Sequence, residues 1–351
     1  MRSPSGSATI KDVARRAGVA VGTVSNYLNG TAPVAEKTAR KVQRAIERLG
    51  FRIHMGARSL RSKRTHSAGL VLPNISNPFY AEIARAVEHA LWEKGVQTVL
   101  CDSSQDPERE WMHIEGLASR RVDGILLIRS ERGASAERVE ALGVPVVYVD
   151  RAVEGRHSVT TDNRLGGELA AEHLAALGHR RVGVLAGESG VRNVRQRLEG
   201  FRVELEQHRV AVRERDVLCG PQAIELGYRV GELLERKDPP TAIFATNDIV
   251  AIGAWRKLVE LGLRVPEDVS LVGFDDIEMS RLLVPPLTTV RQDKVALGRE
   301  ASSLLLSLLE GEGRPAQQRF IPPELVVRGS TCAAGGGARE KTEPGEALGP
   351  E

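Results

Sequence analysis

Cysteine is scarce in this chain of 351 residues. There are three, Cys101, Cys219 and Cys332, odd in number and far apart. Such a set builds neither a disulfide framework nor a clustered metal site, and it fits a reducing compartment. Long apolar runs are missing as well. No stretch approaches the ~18 residues that span a bilayer, and the opening MRSPSGSATIKD lacks the apolar core of a secretion signal. A cytoplasmic protein with no membrane partner is expected.

The motifs of catalysis are absent too. The chain has no H-E-x-x-H, no G-x-x-x-x-G-K-[ST] and no G-x-S-x-G. LAGESG at 185–190 reads as a strand-end turn. His173 and His179 read as residues of a helix face and of its C-terminal end, where an imidazole meets the helix dipole or solvent. Neither an enzyme nor a bound cofactor or metal is expected.

Charge is missing from one window. Nothing between Arg16 and Glu36 is ionisable at neutral pH, yet this window lies in the most basic part of the chain. Residues 1–64 hold 14 lysines and arginines against 3 acids, whereas the remaining 287 residues hold 35 against 43. A small basic head on a larger acidic body is the charge footprint of a nucleic-acid module joined to something else.

That head has helical periodicity. Thr9 and Asp12 form a capping box, and Ile10, Val13, Ala14 and Ala17 recur at helical spacing until Gly18. A second short helix spans about 20–28 and buries Val24 and Leu28. A third follows Pro33, with Val42, Ile46 and Leu49 on one face, and ends at Gly50. Helix, three-residue turn with glycine, and helix make a helix-turn-helix. Residues 53–66 read as a basic linker with one short conditional helix.

From Ser67 the texture changes to apolar strands alternating with amphipathic helices. The strands are AGLVL, VQTVL, GILLI, VPVVYVD, VGVLA, AIFAT and VSLVGF; helical patterns include 78–94, 165–177 and 249–261. This alternation predicts parallel sheets with helices on both faces, arranged as two doubly wound lobes over 67–331. The Gly/Glu/Pro-rich residues 332–351 read as a disordered tail.

The stretch TIKDVARRAGVAVGTVSNYLNG, the V-x-x-x-T-x-x-x-V of 34–42 and the ARSL of 57–60 resemble the lactose-repressor/galactose-repressor family of bacterial transcription regulators. LVLPNISNPFYAEI, VDGILLI, TTDNRLGG, HRRVGVLAG, ATNDIVAIGA and LRVPEDVSLVGFDD follow in family order. The resemblance covers about 9–331. It implies an all-α headpiece (1–52), a hinge helix (53–66) and a two-lobed α/β core like that of type I periplasmic binding proteins. It also implies a homodimer that reads a palindromic double-stranded DNA operator under the control of a small-molecule effector.

Family readout positions fall on Val21, Gly22 and Asn26. Asparagine can pair bidentately with adenine and valine can pack on a thymine methyl, whereas Gly22 offers only close backbone approach. Thr23, Ser25, Tyr27 and Asn29 are candidates for phosphate hydrogen bonds. Ala57, Arg58 and Leu60 match the family hinge, in which the leucine wedges into a minor-groove step. The flanking cations supply the salt-dependent attraction.

Carried across residue by residue, the family's effector pocket gives Phe79, Tyr80, Asp150, Arg197, Asn247 and Asp275. Gln222 and Lys294 stand where a stacking aromatic is common. Carboxylates can accept paired sugar hydroxyls and an arginine can donate a fork. A sugar is the leading ligand class, and a lysine at 294 would suit a phosphorylated or acidic metabolite. Release of DNA and promotion of binding by the effector, hence repression and activation, both remain open at this point. Residues 79–87 and 284–291 are expected to contribute to the dimer face.

Overall fold

In the computed structural model, residues 8–29, 32–51, 64–128, 133, 135–311 and 315–335 are described. The chain divides into two compact units, Met1–Thr65 and His66–Glu351.

Among its described residues the first unit contains three helices, α1 (Ile10–Ala17), α2 (Val21–Asn29) and α3 (Glu36–Leu49). Thr9 caps α1: its hydroxyl accepts from the Asp12 N–H, and the Asp12 carboxylate accepts from the Thr9 N–H at 3.0 Å. Gly18 ends α1 at φ 65°, a left-handed conformation that costs glycine little. The chain can then turn at once into α2. Val13, Ala14, Ala17, Val24, Val42 and Ala45 form the core, with Leu28, Ile46 and Leu49 packed against it. At ~1.5–3 kcal/mol per large apolar side chain buried, so small a core is marginal, and its helix caps matter correspondingly.

The second unit holds two sheets, and its chain passes between them three times. Sheet A orders β1 (Ser67–Leu72), β2 (Gln97–Asp102), β3 (Gly124–Leu127), β4 (Val146–Val149), β5 (Ser158–Thr161) and β11 (Gln318–Ile321) as β11-β5-β4-β3-β1-β2. Sheet B orders β6 (Val182–Ala186), β7 (Val217–Cys219), β8 (Ala242–Ala245), β9 (Ser270–Asp275), β10 (Thr288–Arg291) and β12 (Glu324–Val326) as β12-β10-β9-β8-β6-β7. All pairings are parallel except β10 with β12.

Helices cover both faces of each sheet. Those of the amino-proximal lobe are α4 (Pro78–Trp92), α5 (Pro107–Ser119), α6 (Ala136–Glu140) and, late in the chain, α12 (Lys294–Leu309). The other lobe has α7 (Asn163–Ala176), α8 (Arg192–Gln207), α9 (Ile224–Tyr228), α10 (Val230–Leu234) and α11 (Asp248–Glu260). Each sheet therefore carries two apolar clusters, one per face. The two doubly wound lobes expected from the alternation are present. No described helix is long and apolar enough to cross a membrane.

Seven strands are expected, and twelve are found among the described residues. The apolar seven were visible because parallel strands buried on both faces read as continuous hydrophobic runs. Strands β5 (SVTT) and β10 (TTVR) are buried but polar, and in β10 the threonine hydroxyls meet partners far away in sequence that no local pattern announces. Thr289, for example, donates to Asp248 at 2.6 Å. Short β7 and the edge strands β11 and β12, separated by Pro322 and Pro323, give still weaker signals.

Other expectations need correction. The tail does not begin at 332: the Cys332 N–H donates to Ser270 Oγ at 3.1 Å and the Ala334 N–H to the Leu177 carbonyl at 2.8 Å. Residues 336–351 lie outside the described residues. His173 in the last turn of its helix and His179 just beyond it lie where expected, but instead of facing solvent they clasp this C-terminal segment. His173 pairs with Thr331, and His179 pairs with Thr241 and the Cys332 carbonyl. Burial holds both imidazoles below their ordinary pKa, the neighbouring His179 adding to the effect on His173. Within 79–87, Phe79, Ile83, Ala84 and Val87 belong to the core shared with α12. Exposed apolar side chains elsewhere include Trp92, Leu100 and Met112 on one lobe and Met279, Leu282 and Val284 on the other.

Candidate functional site

In the first unit, the packing of α2 decides which residues face out. Val24 is fully buried and Leu28 packs beside it, leaving Gly22 and Asn26 on the opposite side, with Val21 and Ser25 at the edge of the buried stripe. Val21 and Gly22 are exposed, and a side chain added at Gly22 would meet nothing. Thr23, Ser25 and Asn26 are half-buried. Tyr27, expected as a phosphate donor, instead donates to Gln43 Oε1 at 2.7 Å and ties α2 to α3. Lys37, Arg40, Lys41, Arg44 and Arg48 project from α3 into solvent. The Asn29 side chain and Ala57, Arg58 and Leu60 lie outside the described residues.

In the second unit, a cavity of about 700 Å³ opens between the lobes at the carboxyl ends of both sheets. In doubly wound folds this is where ligands bind, and the volume suits a small molecule. Phe79, Tyr80 and Asp150 line it from one lobe; Arg197, Gln222 and Asp275 line it from the other. These six were expected. Asn77, Gln105, Arg151, Glu188, Ser189 and Asn193 also line it and were not. Glu188 and Ser189 sit in the strand-end turn that the sequence reading set aside; position after an apolar strand was the one available signal.

Two expected residues are not on the wall. Asn247 is buried and caps α11, accepting from the Val250 N–H at 2.8 Å. Lys294 is only 6% exposed, and its ammonium donates to the carbonyls of Asp275 and Asp276 at 2.8 and 2.7 Å. A cation needs compensation when it leaves water, and these carbonyls provide it behind the wall. The lysine is thereby spent as an anion receptor.

The cavity's charged groups are held in place. Asp150 and Asp275 end β4 and β9 at φ 59° and 117°. Such left-handed turns are strained for most residues and tend to mark functional positions. Arg197 lies over the Phe274 ring at 3.8 Å, donates from Nε to Asn163 at 2.7 Å and from Nη1 to the Thr246 carbonyl at 2.6 Å, and stands 3.6 Å from Asp275. Gln292 donates to the other side of the site, to Asp275 Oδ1 at 2.7 Å. Across the cleft, Asn193 donates to the Asp150 carbonyl at 2.7 Å and to its carboxylate at 3.3 Å.

Burial pushes the Asp150 carboxyl up to about 7, against the opposing pull of Arg197. Burial raises Asp275 to about 6, with Arg197, the Gln292 hydrogen bond and Lys294 holding it down. Burial and the two carboxylates keep Tyr80 a neutral phenol. The wall thus offers carboxyl acceptors, guanidinium and amide donors and an aromatic edge, which suits a molecule rich in hydroxyl groups. No histidine lines it, and no cluster among the described residues has the make-up of a metal site.

Residues 9–53 match the family described as bacterial regulatory proteins, lacI family, and residues 171–331 match the periplasmic binding protein-like domain. The HTH-type transcriptional repressor PurR of Haemophilus influenzae (strain PittEE) is 39% identical over 332 residues, which is 92% of this chain and 98% of that protein. The HTH-type transcriptional regulator DegA of Bacillus subtilis (strain 168) is 35% identical over 330 residues, again covering 92% and 98%. Among solved structures, the Lac repressor dimer bound to operator and the anti-inducer ONPF superposes with a TM-score of 0.83 at 29% identity, covering 93% of this chain and all of that one. A complex of the transcriptional regulator CelR with cellobiose gives 0.71 at 34% identity, covering 92% and 99%.

Proposed function

Because the chain belongs to the lacI family of bacterial regulatory proteins, which are DNA-binding transcription regulators, we propose that it is an effector-controlled repressor. It acts in the cytoplasm as a homodimer on a palindromic operator. Its effector is a small, neutral, polyhydroxylated molecule, a sugar or close derivative, held between the lobes. The observation that carries this reading is the interlobe wall itself, where Asp150, Asp275 and Arg197 converge with Gln222, Asn193 and neutral Tyr80.

Charge narrows the class. The wall carries Asp150, Glu188 and Asp275 against Arg151 and Arg197, and Lys294 is committed to backbone carbonyls. A phosphorylated ligand would bring negative charge to a wall already rich in carboxylates. Neutral sugars are therefore favoured over sugar phosphates. The CelR complex holds cellobiose.

On the DNA side, Val21, Gly22 and Asn26 read base edges while the α3 cations contact phosphates, so that specificity and attraction reside on different residues. Thr23, Ser25 and Asn29 add phosphate hydrogen bonds. Residues 53–66, with Ala57, Arg58 and Leu60, act as the minor-groove hinge. The exposed Met279, Leu282 and Val284 support a dimer face on the carboxyl-proximal lobe. An effector that prefers one lobe arrangement shifts the population between a DNA-binding and a releasing dimer.

Two measurements test this. Melting the protein with ribose, cellobiose and glucose 6-phosphate should give a stabilising shift for a neutral sugar and none for the phosphate; a larger shift for the phosphate would overturn the charge argument. Selecting bound fragments from random duplexes should return a palindrome, and an asymmetric consensus would overturn the dimer.

A further inference from the structure

The first passage between the lobes ends β5 at Thr161 and starts α7 at Asn163. Asp162 caps that helix, accepting from the Leu165 N–H at 3.0 Å, and its own N–H donates to the Ile321 carbonyl at 3.0 Å. The first passage is thus tied to the strand end that leads into the third. Asn163 has no capping duty. Its side chain is nevertheless 2% exposed, unusual for a polar residue in the first turn of a helix.

Both ends of that side chain are used. Its Oδ1 accepts from Arg197 Nε at 2.7 Å, and its Nδ2 donates to the Thr161 carbonyl at 3.0 Å. One amide therefore links the cavity's guanidinium, carried by the carboxyl-proximal lobe, to the last residue of a strand in the other lobe. The surrounding packing is stiff. A Cβ at Gly167 would run into the Arg197 carbonyl oxygen, and one at Gly200 into that of Arg164. Helices α7 and α8 touch backbone to backbone, so a shift of Arg197 has little slack to dissipate in.

We infer that Asn163 is a positioning residue that transmits the state of Arg197 to the interlobe passage, and so sets how effector binding alters the lobe angle. This rests on the cavity being the effector site. Asn163 does not line the cavity; it acts through Arg197. Its function requires an amide, because one group must accept from a guanidinium and donate to a carbonyl at the same time.

The test needs no effector. Amide exchange at residue resolution is followed at Asp162 in the full chain, with Val184 and Leu271 as control amides in the carboxyl-proximal sheet. Arg197→Ala, Asn163→Ala and Asn163→Asp should each speed Asp162 exchange about tenfold relative to the controls, the reach of one buried hydrogen bond. Aspartate keeps the acceptor for Arg197 and loses the donor to Thr161, so it carries the same comparison if alanine prevents folding. Arg197→Ala placed on either Asn163 variant should add no further acceleration. Multiplying effects, an Arg197→Ala protein with unchanged Asp162 exchange, or equal acceleration at the controls would each overturn the relay. Failure of the sugar screen with these couplings intact would instead count against the effector reading.

Discussion

Replacing Asp150 by asparagine should stabilise the effector-free protein at neutral pH. Burial raises this carboxyl from the ordinary 3.8 to about 7. The unfolded chain therefore ionises Asp150 through pH 3.8, while the folded protein keeps the proton until about pH 7. Over that window the folded state binds more protons, so stability falls as pH rises, and the loss levels off above it. At ~1.36 kcal/mol per pH unit, the full loss is about 4 kcal/mol. Asparagine does not titrate. Its amide oxygen can keep the contact from Asn193 Nδ2, whose shorter bond goes to the backbone carbonyl in any case. The variant should exceed the parent by about 1 kcal/mol at pH 4.5 and about 4 kcal/mol at pH 8. Urea unfolding followed by tryptophan fluorescence measures this, because Trp92, Trp111 and Trp255 all lie in the α/β unit. A variant less stable than the parent at pH 8, or a gap of equal size at both pH values, would refute the reasoning. Such a destabilising carboxylate is tolerable where function needs it.

Three further outcomes separate reading, packing and support. Gly22→Gln should leave the stability of the first unit within ~0.5 kcal/mol and change base preference at one operator position by ~1–3 kcal/mol, measured by competition between duplexes. Gly167→Ala should cost ~3 kcal/mol or more, read by the same urea titration, because its Cβ meets the Arg197 carbonyl on a neighbouring helix. Lys294→Met should lower stability by ~1–3 kcal/mol through the two carbonyls it leaves without a donor. It should leave the discrimination between cellobiose and glucose 6-phosphate in the melting assay unaltered; a change there would return the lysine to the ligand site.

Features encoded within a few residues were legible in the sequence. Thr9 with Asp12, Gly18 and Gly50 announced the headpiece helices because caps and left-handed turns are local. The seven apolar strands announced the sheets because burial on both faces leaves a continuous run. Strand β10 escaped because its threonines are buried through hydrogen bonds to distant partners, such as Asp248, and β5 because it is short and polar although fully buried. The cavity divided along the same line. Asp150 and Asp275 could be placed by the strand ends they terminate, whereas Gln105, Arg151 and Asn193 come together only once two loops and the start of α8 meet. Lys294 shows the opposite error: its position along the chain was right, but carbonyls from another lobe, invisible in sequence, had already claimed its charge.

The central claim is that one chain couples a cleft ligand to operator affinity through Arg197. The most direct measurement is the operator Kd of the full chain, with and without the neutral sugar that raises its melting temperature, in the parent and in Arg197→Ala. The account predicts a sugar-dependent change of about 5- to 150-fold in the parent. It predicts no sugar-dependent change in Arg197→Ala, which still binds operator in the absence of sugar. A sugar response that survives in Arg197→Ala, or operator binding lost without sugar, would contradict it.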